Sequence, residues 1–305
     1  NVLASAGTYP WDVSYIPVSP LTRWRVVSED DPSLWDANDQ AVLIKNQRVV
    51  VYINDDIQDG DVYTTAPGAA TNSGQSVDSP LRDPDDALTR FTLGPDDVVY
   101  VDTGTYALTN FYGLAVGLVG SEQELGVTNV PIRIIGSTNF DAGGSRLIPA
   151  PEADSFGIWI NNTRFVDVEN FTIQGGGGDG VGVVRSTDVN LRRISAVEHA
   201  KRGFYVASFS SAYADRCAAW GNTNYGFEVA GFAVAHFDRG VLWSNQAGAA
   251  YANNATWVSS NSVLGTFITN TYLVRLSGES GWASGDYNMY HLDEGARIGY
   301  IGLQQ

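Results

Sequence analysis

One cysteine stands among 305 residues, so the chain can form no intramolecular disulfide, and Cys217 reads as a small apolar residue. No run of 18 apolar residues occurs, which excludes a membrane-spanning helix and membrane insertion. Apolar residues at a sustained 3.6-residue period are scarce, which argues against a helical bundle. Basic side chains are few, 18 against 34 acidic ones for a formal net charge of −16, and such a chain has no attraction for nucleic acid or anionic lipid. The acids crowd the front, with 17 of them in residues 1–102 against six basic residues. No signal peptide opens at Asn1, as expected of a secreted chain numbered after processing or of a stretch of a longer one.

What the chain does have is a repeat. IWINNTRFVDVENFTIQGGGGDG (residues 158–180), VGVVRSTDVNLRRISAVEHAKRG (181–203), FYVASFSSAYADRCAAWGNTNYG (204–226) and FEVAGFAVAHFDRGVLWSNQAG (227–248) share one layout. Gly157, Gly180, Gly203, Gly226 and Gly248 close successive units at three equal intervals and a last one shorter by a single position. A period of about 23 residues marks a stacked solenoid, because each unit is too short to bury its own apolar face.

Within a unit the alternation has period 2, which calls for strands. One inward column reads Ile158/Ile160, Val181/Val183, Phe204/Val206, Phe227/Val229 and Ala249/Tyr251. A second reads Val166/Val168, Val189/Leu191, Ala212/Ala214, Ala235/Phe237 and Trp257/Ser259. The expected fold is therefore all-β, a parallel β-helix with three faces and about 23 residues per coil. Each closing glycine is expected to supply a positive φ or a close backbone approach at a corner. Ser210 falls at a turn, where a charge is expected to cost little.

The front of the molecule predicts how the solenoid starts. In SPLRDPDDALTRF (79–91), Asp83 is a candidate N-cap, Pro84 occupies the first helical position, and Ala87, Leu88 and Phe91 share one face. A short helix here would cap the open end of the β-helix. Upstream, NDDIQDGD (54–61) offers Asp55, Asp56, Asp59 and Asp61 around a Gly turn, a candidate Ca²⁺ site or a solvated acidic turn.

The order of VYINDDIQDGDVYTTAPGAATNSGQSVDSPLRDPDDALTRF, DDVVYVDTGTY and then repeated coils resembles right-handed parallel β-helix proteins of the pectate-lyase-like superfold, in particular large bacterial secreted or surface proteins. The resemblance spans about residues 49–300 and implies an extracellular or cell-surface location. It implies no single activity, because the superfold hosts lyases, hydrolases, adhesins and passive stalks. YPWDVSYIPVSPLTRWRVVSED with AVLIKN resembles the closing strands of an immunoglobulin-like sandwich, of which it is only a part. The expected division is residues 1–48 as this partial sandwich, 49–106 as a lead-in with acidic loop and capping helix, and 107–305 as coils.

Catalysis on this fold would need charged groups converging on one outward face. On the opening strand the outward set includes Glu228 as its one carboxylate. On the second face Glu169, Arg192, Asp215 and Asp238 align, with Asn170, Arg193, Arg216, Arg239 and Asn261 beside them, which reads first as an ion-pair ladder. An acidic-sugar site of a polysaccharide lyase or glycoside hydrolase would instead draw on Asp167, Glu169, Arg192, His236 and Asp238. His199 and Lys201, in VEHAKRG, read as a solvated turn ahead of an acid–base pair. Aromatics complete the candidates: Trp159 and Tyr205 outward on the first face, Trp220 and Trp243 on the third, and Trp11, Trp24 and Trp35 in a front segment too short to bury them alone. Such surfaces hold a polysaccharide or another protein surface. The favoured expectation is a structural or adhesive surface protein, a filament subunit or adhesin segment that self-associates through residues 1–48, with a polysaccharide-acting enzyme as the alternative.

Overall fold

The computed structural model describes residues 19–37, 39, 42–44, 48–91, 93–117, 130–269 and 271–302. The chain divides into two compact units, 1–48 and 49–305. The described part of the first holds two antiparallel pairs, Ser19–Thr22 with Val42–Ile44 and Arg25–Val27 with Trp35–Ala37. Trp24 and Trp35 are 47% and 59% exposed, alongside exposed Val26, Val27 and Leu34. Trp11 lies outside the described residues.

The second unit is a parallel β-solenoid. Face A runs through Leu114–Val116, Phe156–Asn161, Asp179–Val184, Phe204–Ala207, Tyr225–Ala230, Gly248–Asn253, Tyr272–Ser277 and Arg297–Gly302. Face B runs from Val50–Ile53 through Val98–Val101 and Ile132–Gly136 to Ser211–Asp215, Val234–Asp238, Thr256–Ser260 and Trp282–Asp286. Face C includes Gly104–Ala107, Ser145–Ile148, Ala218–Trp220, Val241–Trp243, Val263–Thr266 and Met289–Leu292. Two 11-residue strands, Arg164–Gln174 and Thr187–Val197, turn the corner from B to C and join those faces in one sheet.

The core is the stack of inward columns. Ile158, Val181, Phe204 and Phe227 pair in register on face A, as do Val166, Val189, Ala212, Ala235 and Trp257 on face B, and all are buried. Helix Pro84–Arg90 starts where expected, although Asp83 makes no side-chain cap bond. Its Ala87 is fully buried, and Leu88 and Phe91 pack against the core.

One coil differs from the expected phase. Phe227 pairs with Ala250, Glu228 with Tyr251 and Val229 with Ala252, so Ala250 and Ala252 point inward and Tyr251 outward. The partner of Gly248 is Tyr225 rather than Gly226. The missing residue lies after the strand: Ala230 pairs with Asn253, but Val234 already pairs with Thr256. Asn254 turns that corner as a single left-handed residue, where Ser208–Phe209 and Gly231–Phe232 use two.

Of the two roles expected of the glycines, close approach governs the regular coils. A Cβ on Gly180, Gly203 or Gly226 would meet the backbone oxygen of Gly203, Gly226 or Ala249 at 2.7, 2.7 or 3.0 Å. Behind this corner runs a polar column, His199, Asn222 and Asn245, one per coil. The backbone N–H of His199 donates to Asn222 Oδ1 at 2.9 Å and that of Asn222 to Asn245 Oδ1 at 3.2 Å, while Asn222 Nδ2 donates back to Ala196 O. His199 is therefore a structural rung, 1% exposed, and not part of a solvated turn; Lys201 pairs instead with Asp154. Ser210 is buried as well: it donates to Ala207 O and accepts from the Ser186 N–H, so the corner there is no open turn. Cys217 sits in the core, where burial pushes its thiol up to about 12.

Candidate functional site

Face B carries an open groove of about 510 Å³ on its outer surface. Its floor is one outward column. Asp167 pairs in register with Asn190, Asn190 with Tyr213 and Tyr213 with His236, so each coil presents one polar or aromatic side chain about 4.8 Å from the last. Phe165, Asp188, Ser211 and Val234 line one side. The alternation forces this display: their strand neighbours Val166, Val189, Ala212 and Ala235 fill the core.

Beside the floor runs the charged column, Glu169, Arg192, Asp215, Asp238, in the expected register. Arg192 reaches Glu169 at 3.3 Å and Asp167 at 3.9 Å, while Asn190 donates to Asp167 at 2.7 Å. Arg193 donates to Glu169 at 2.9 Å and to Asn170 at 2.6 Å. Arg239 holds Asp215 at 2.7 Å and Asp238 at 3.1 Å. Asp238 also accepts from Asn261, Ser260 and Tyr213. These bonds, led by that of Asn261, hold its carboxyl below the ordinary range. Burial, with Asp238 and Asp215 nearby, raises the Tyr213 hydroxyl. The corner residues Asn170, Arg193, Arg216, Arg239 and Asn261 all have φ between 50 and 66°, a conformation costing each about 1 kcal/mol. At Arg193 and Arg239 that same turn swings the guanidinium back over the acidic column.

Asp167, Glu169, Arg192, His236 and Asp238 thus share one surface, whereas Glu228 lies on face A in a separate cluster. There Arg202 clasps the nearly buried Asp179 with two bonds, 2.7 and 2.8 Å, and reaches Glu228 at 3.1 Å. Its guanidinium lies 3.7 Å from the Tyr205 ring centre. Burial raises the Glu228 carboxyl, against the opposing pull of Arg202. Asp179 and Arg202 did not figure among the candidates, yet their signal was present: they stand one coil apart, each immediately before a closing glycine. Asn190 and Tyr213 were legible in the same way, filling the coils between Asp167 and His236.

The aromatic candidates divide. Trp159 is half-buried against Phe156 at 4.2 Å, and Arg202 covers Tyr205. Trp220 is exposed on face C, while Trp243 packs against Phe267 and His291 at 5.1 and 5.0 Å. In the acidic loop, Asp55 accepts from the N–H groups of Ile57 and Thr105, and Asp61 from Asn54. Asp56 and Asp59 are exposed. Among the described residues no three His, Cys, Asp or Glu side chains converge as ligands for a metal. No helix among them is long and apolar enough to cross a membrane.

Stacked coils of this length, with parallel ladders on three faces, define a β-helix of the pectate-lyase type. The chain is similar in fold to the solved pectate lyase Pel9A, with TM-score 0.53, 13% identity, and coverage of 84% of this chain and 68% of that one. It is similar also to a rhamnogalacturonan lyase, with TM-score 0.54, 14% identity, and coverage of 83% of this chain and 66% of that one. No family model and no curated protein matches the chain.

Proposed function

We propose that the chain is an extracellular, adhesive β-helix that holds a polysaccharide along the face B groove. The observation that carries this reading is the column Asp167, Asn190, Tyr213, His236, which offers one side chain able to hydrogen-bond per coil. The carboxylates of Asp167, Glu169, Asp215 and Asp238 are all engaged by arginine or amide groups. Ion-paired carboxylates orient hydroxyl-binding groups but make poor proton donors. A fold shared with two polysaccharide lyases supports a glycan as the ligand. The test is retardation of the pure chain in gels containing polysaccharide, lost in Tyr213→Ala. Unaltered mobility in every glycan gel would overturn the reading.

A second reading, a polysaccharide lyase or glycoside hydrolase, is favoured by one observation on face A. Glu228 has a carboxyl raised by burial, as a general acid needs. Turnover of pectate or alginate that disappears in Glu228→Gln would establish it. A surface protein of this kind also needs a way to assemble, and the exposed Trp24, Leu34 and Trp35 of the first unit support residues 1–48 as that element.

A further inference from the structure

Where the lead-in loop meets the first coils, two buried oxygens are left without donors. Asn54 and Asp102 follow the strands Val50–Ile53 and Val98–Val101, in which Ile53 pairs with Val101, so they take the same corner one coil apart, and both are fully buried. Asp102 is saturated. Its carboxylate accepts from the N–H groups of Val62, Tyr63, Thr64 and Thr103 at 2.7–2.8 Å and from the Thr64 hydroxyl at 2.9 Å. Asn54 points into the acidic loop, where its Nδ2 spends both hydrogens, on Asp61 Oδ2 at 2.7 Å and on Ala66 O at 3.0 Å. Those two acceptors fix which end of the amide is nitrogen, and Oδ1 is left with no donor. Asp61 Oδ1, on the carboxylate that Asn54 holds, is buried without one as well. An acceptor buried unsatisfied is costly, and a folded chain keeps it where something outside the chain completes it.

We propose that Asn54 Oδ1 and Asp61 Oδ1 are ligands of a Ca²⁺ ion that fastens the loop 54–66 to the start of the solenoid. Charge points to a cation rather than a water molecule. Burial raises the Asp61 carboxyl, and Asp102 and Asp55 raise it further. Among the described residues no basic side chain pairs with any of these three acids. The donor set chooses the ion. Amide and carboxylate oxygens are hard ligands that suit Ca²⁺ or Mg²⁺ over transition metals. Ca²⁺ combines such oxygens with backbone carbonyls and water in flexible geometry, whereas Mg²⁺ demands a near-ideal octahedron and gives up its waters reluctantly. One carboxylate and one amide need no cluster of three acidic ligands, and they imply weak binding, with Kd about 10⁻⁴–10⁻³ M as in extracellular modules. This is not the site expected of the acidic turn. Asp56 and Asp59 are exposed and take no part, and the buried amide of Asn54 stood outside that set.

The experiment is calorimetric titration of the full, chelator-treated chain with CaCl₂, with thermal melts and hydrogen exchange alongside. Asp61→Asn keeps an acceptor for Asn54 and loses the charge, while Asp56→Asn changes the exposed turn only. The expected result is one Ca²⁺ bound per chain and a melting temperature raised by about 3–5 °C in about 10 mM CaCl₂, both kept in Asp56→Asn and lost in Asp61→Asn. Calcium should also slow exchange at the amides of residues 54–66 and leave the later coils unchanged, a wild-type readout that decides even if Asp61→Asn fails to fold. No Ca²⁺ binding by the wild type overturns the proposal and leaves a water molecule or a proton on Asp61 to complete the pair. Binding that survives Asp61→Asn, or that slows exchange only outside residues 54–66, overturns the site. Equal stabilisation by MgCl₂ overturns the choice of ion.

Discussion

His199 should make the solenoid acid-labile. Its ring lies under the A-face corner, where Nε2 donates to Ile173 O at 3.2 Å and Nδ1 finds no partner. Burial lowers its basicity from 6.5 to about 4, so the folded chain holds the ring neutral. Between those two values the unfolded chain binds a proton that the folded chain does not. Stability is therefore full above pH 6.5 and falls as the pH drops toward 4, at about 1.4 kcal/mol per pH unit for a loss of about 3 kcal/mol. Glu228, Asp61 and Asp85, whose carboxyls are raised chiefly by burial, act with the opposite sign. The comparison must therefore be a difference from His199→Asn, which continues the column of Asn222 and Asn245 without a titrating group. Urea unfolding of both proteins from pH 7.5 to 4 should give curves that converge or cross on acidification, the variant losing less. Parallel curves would refute both the buried neutral state of His199 and its role as a rung.

Phe237→Asp places an unpaired charge in the core and should unfold the middle coils, a loss of more than about 4 kcal/mol; Ser210→Asp, at a buried hydroxyl with two bonds, should cost about 1–3 kcal/mol. Thermal melts showing Ser210→Asp as stable as wild type would contradict the described corner. Arg202→Ala strands Asp179, whose side chain is 2% exposed, and should cost about 3–5 kcal/mol, whereas Arg192→Ala, at a more exposed pair, should cost under about 1 kcal/mol by urea titration. A chain lacking residues 1–48 should keep the circular dichroism of the β-helix yet fail to assemble; assembly equal to that of the full chain would rule out this segment as the connector.

The strand alternation of the coils was legible because the inward columns recur once per coil, and a wrong register would have put charge in the core. That protection fails where residues are small. In AGAAYAN (247–253) alanines occupy both phases, and Gly248 imitates a closing glycine, so the one-residue deletion was assigned to the strand's start instead of the Asn254 corner. The charged column was readable because Glu169 and Arg192 sit at equal coil positions. Burial of His199 and Ser210 was not, since both lie in polar turn-like stretches whose bonds run to neighbouring coils. Phe209 and Phe232 were hidden for a related reason: whether a corner uses one left-handed residue or two depends on backbone geometry that composition does not report.

The two kinds of column also differ in what they permit over evolutionary time. Excision of one whole coil leaves every inward column apolar, so the core is indifferent to the number of coils it contains. The face B acids and arginines are not interchangeable in that way. Removing residues 181–203 would bring Glu169 against Asp215 and delete Arg192 and Arg193, the partners that neutralise Glu169. The apolar lattice lets such a chain grow or shrink by whole coils, while its outer charges give each coil an address.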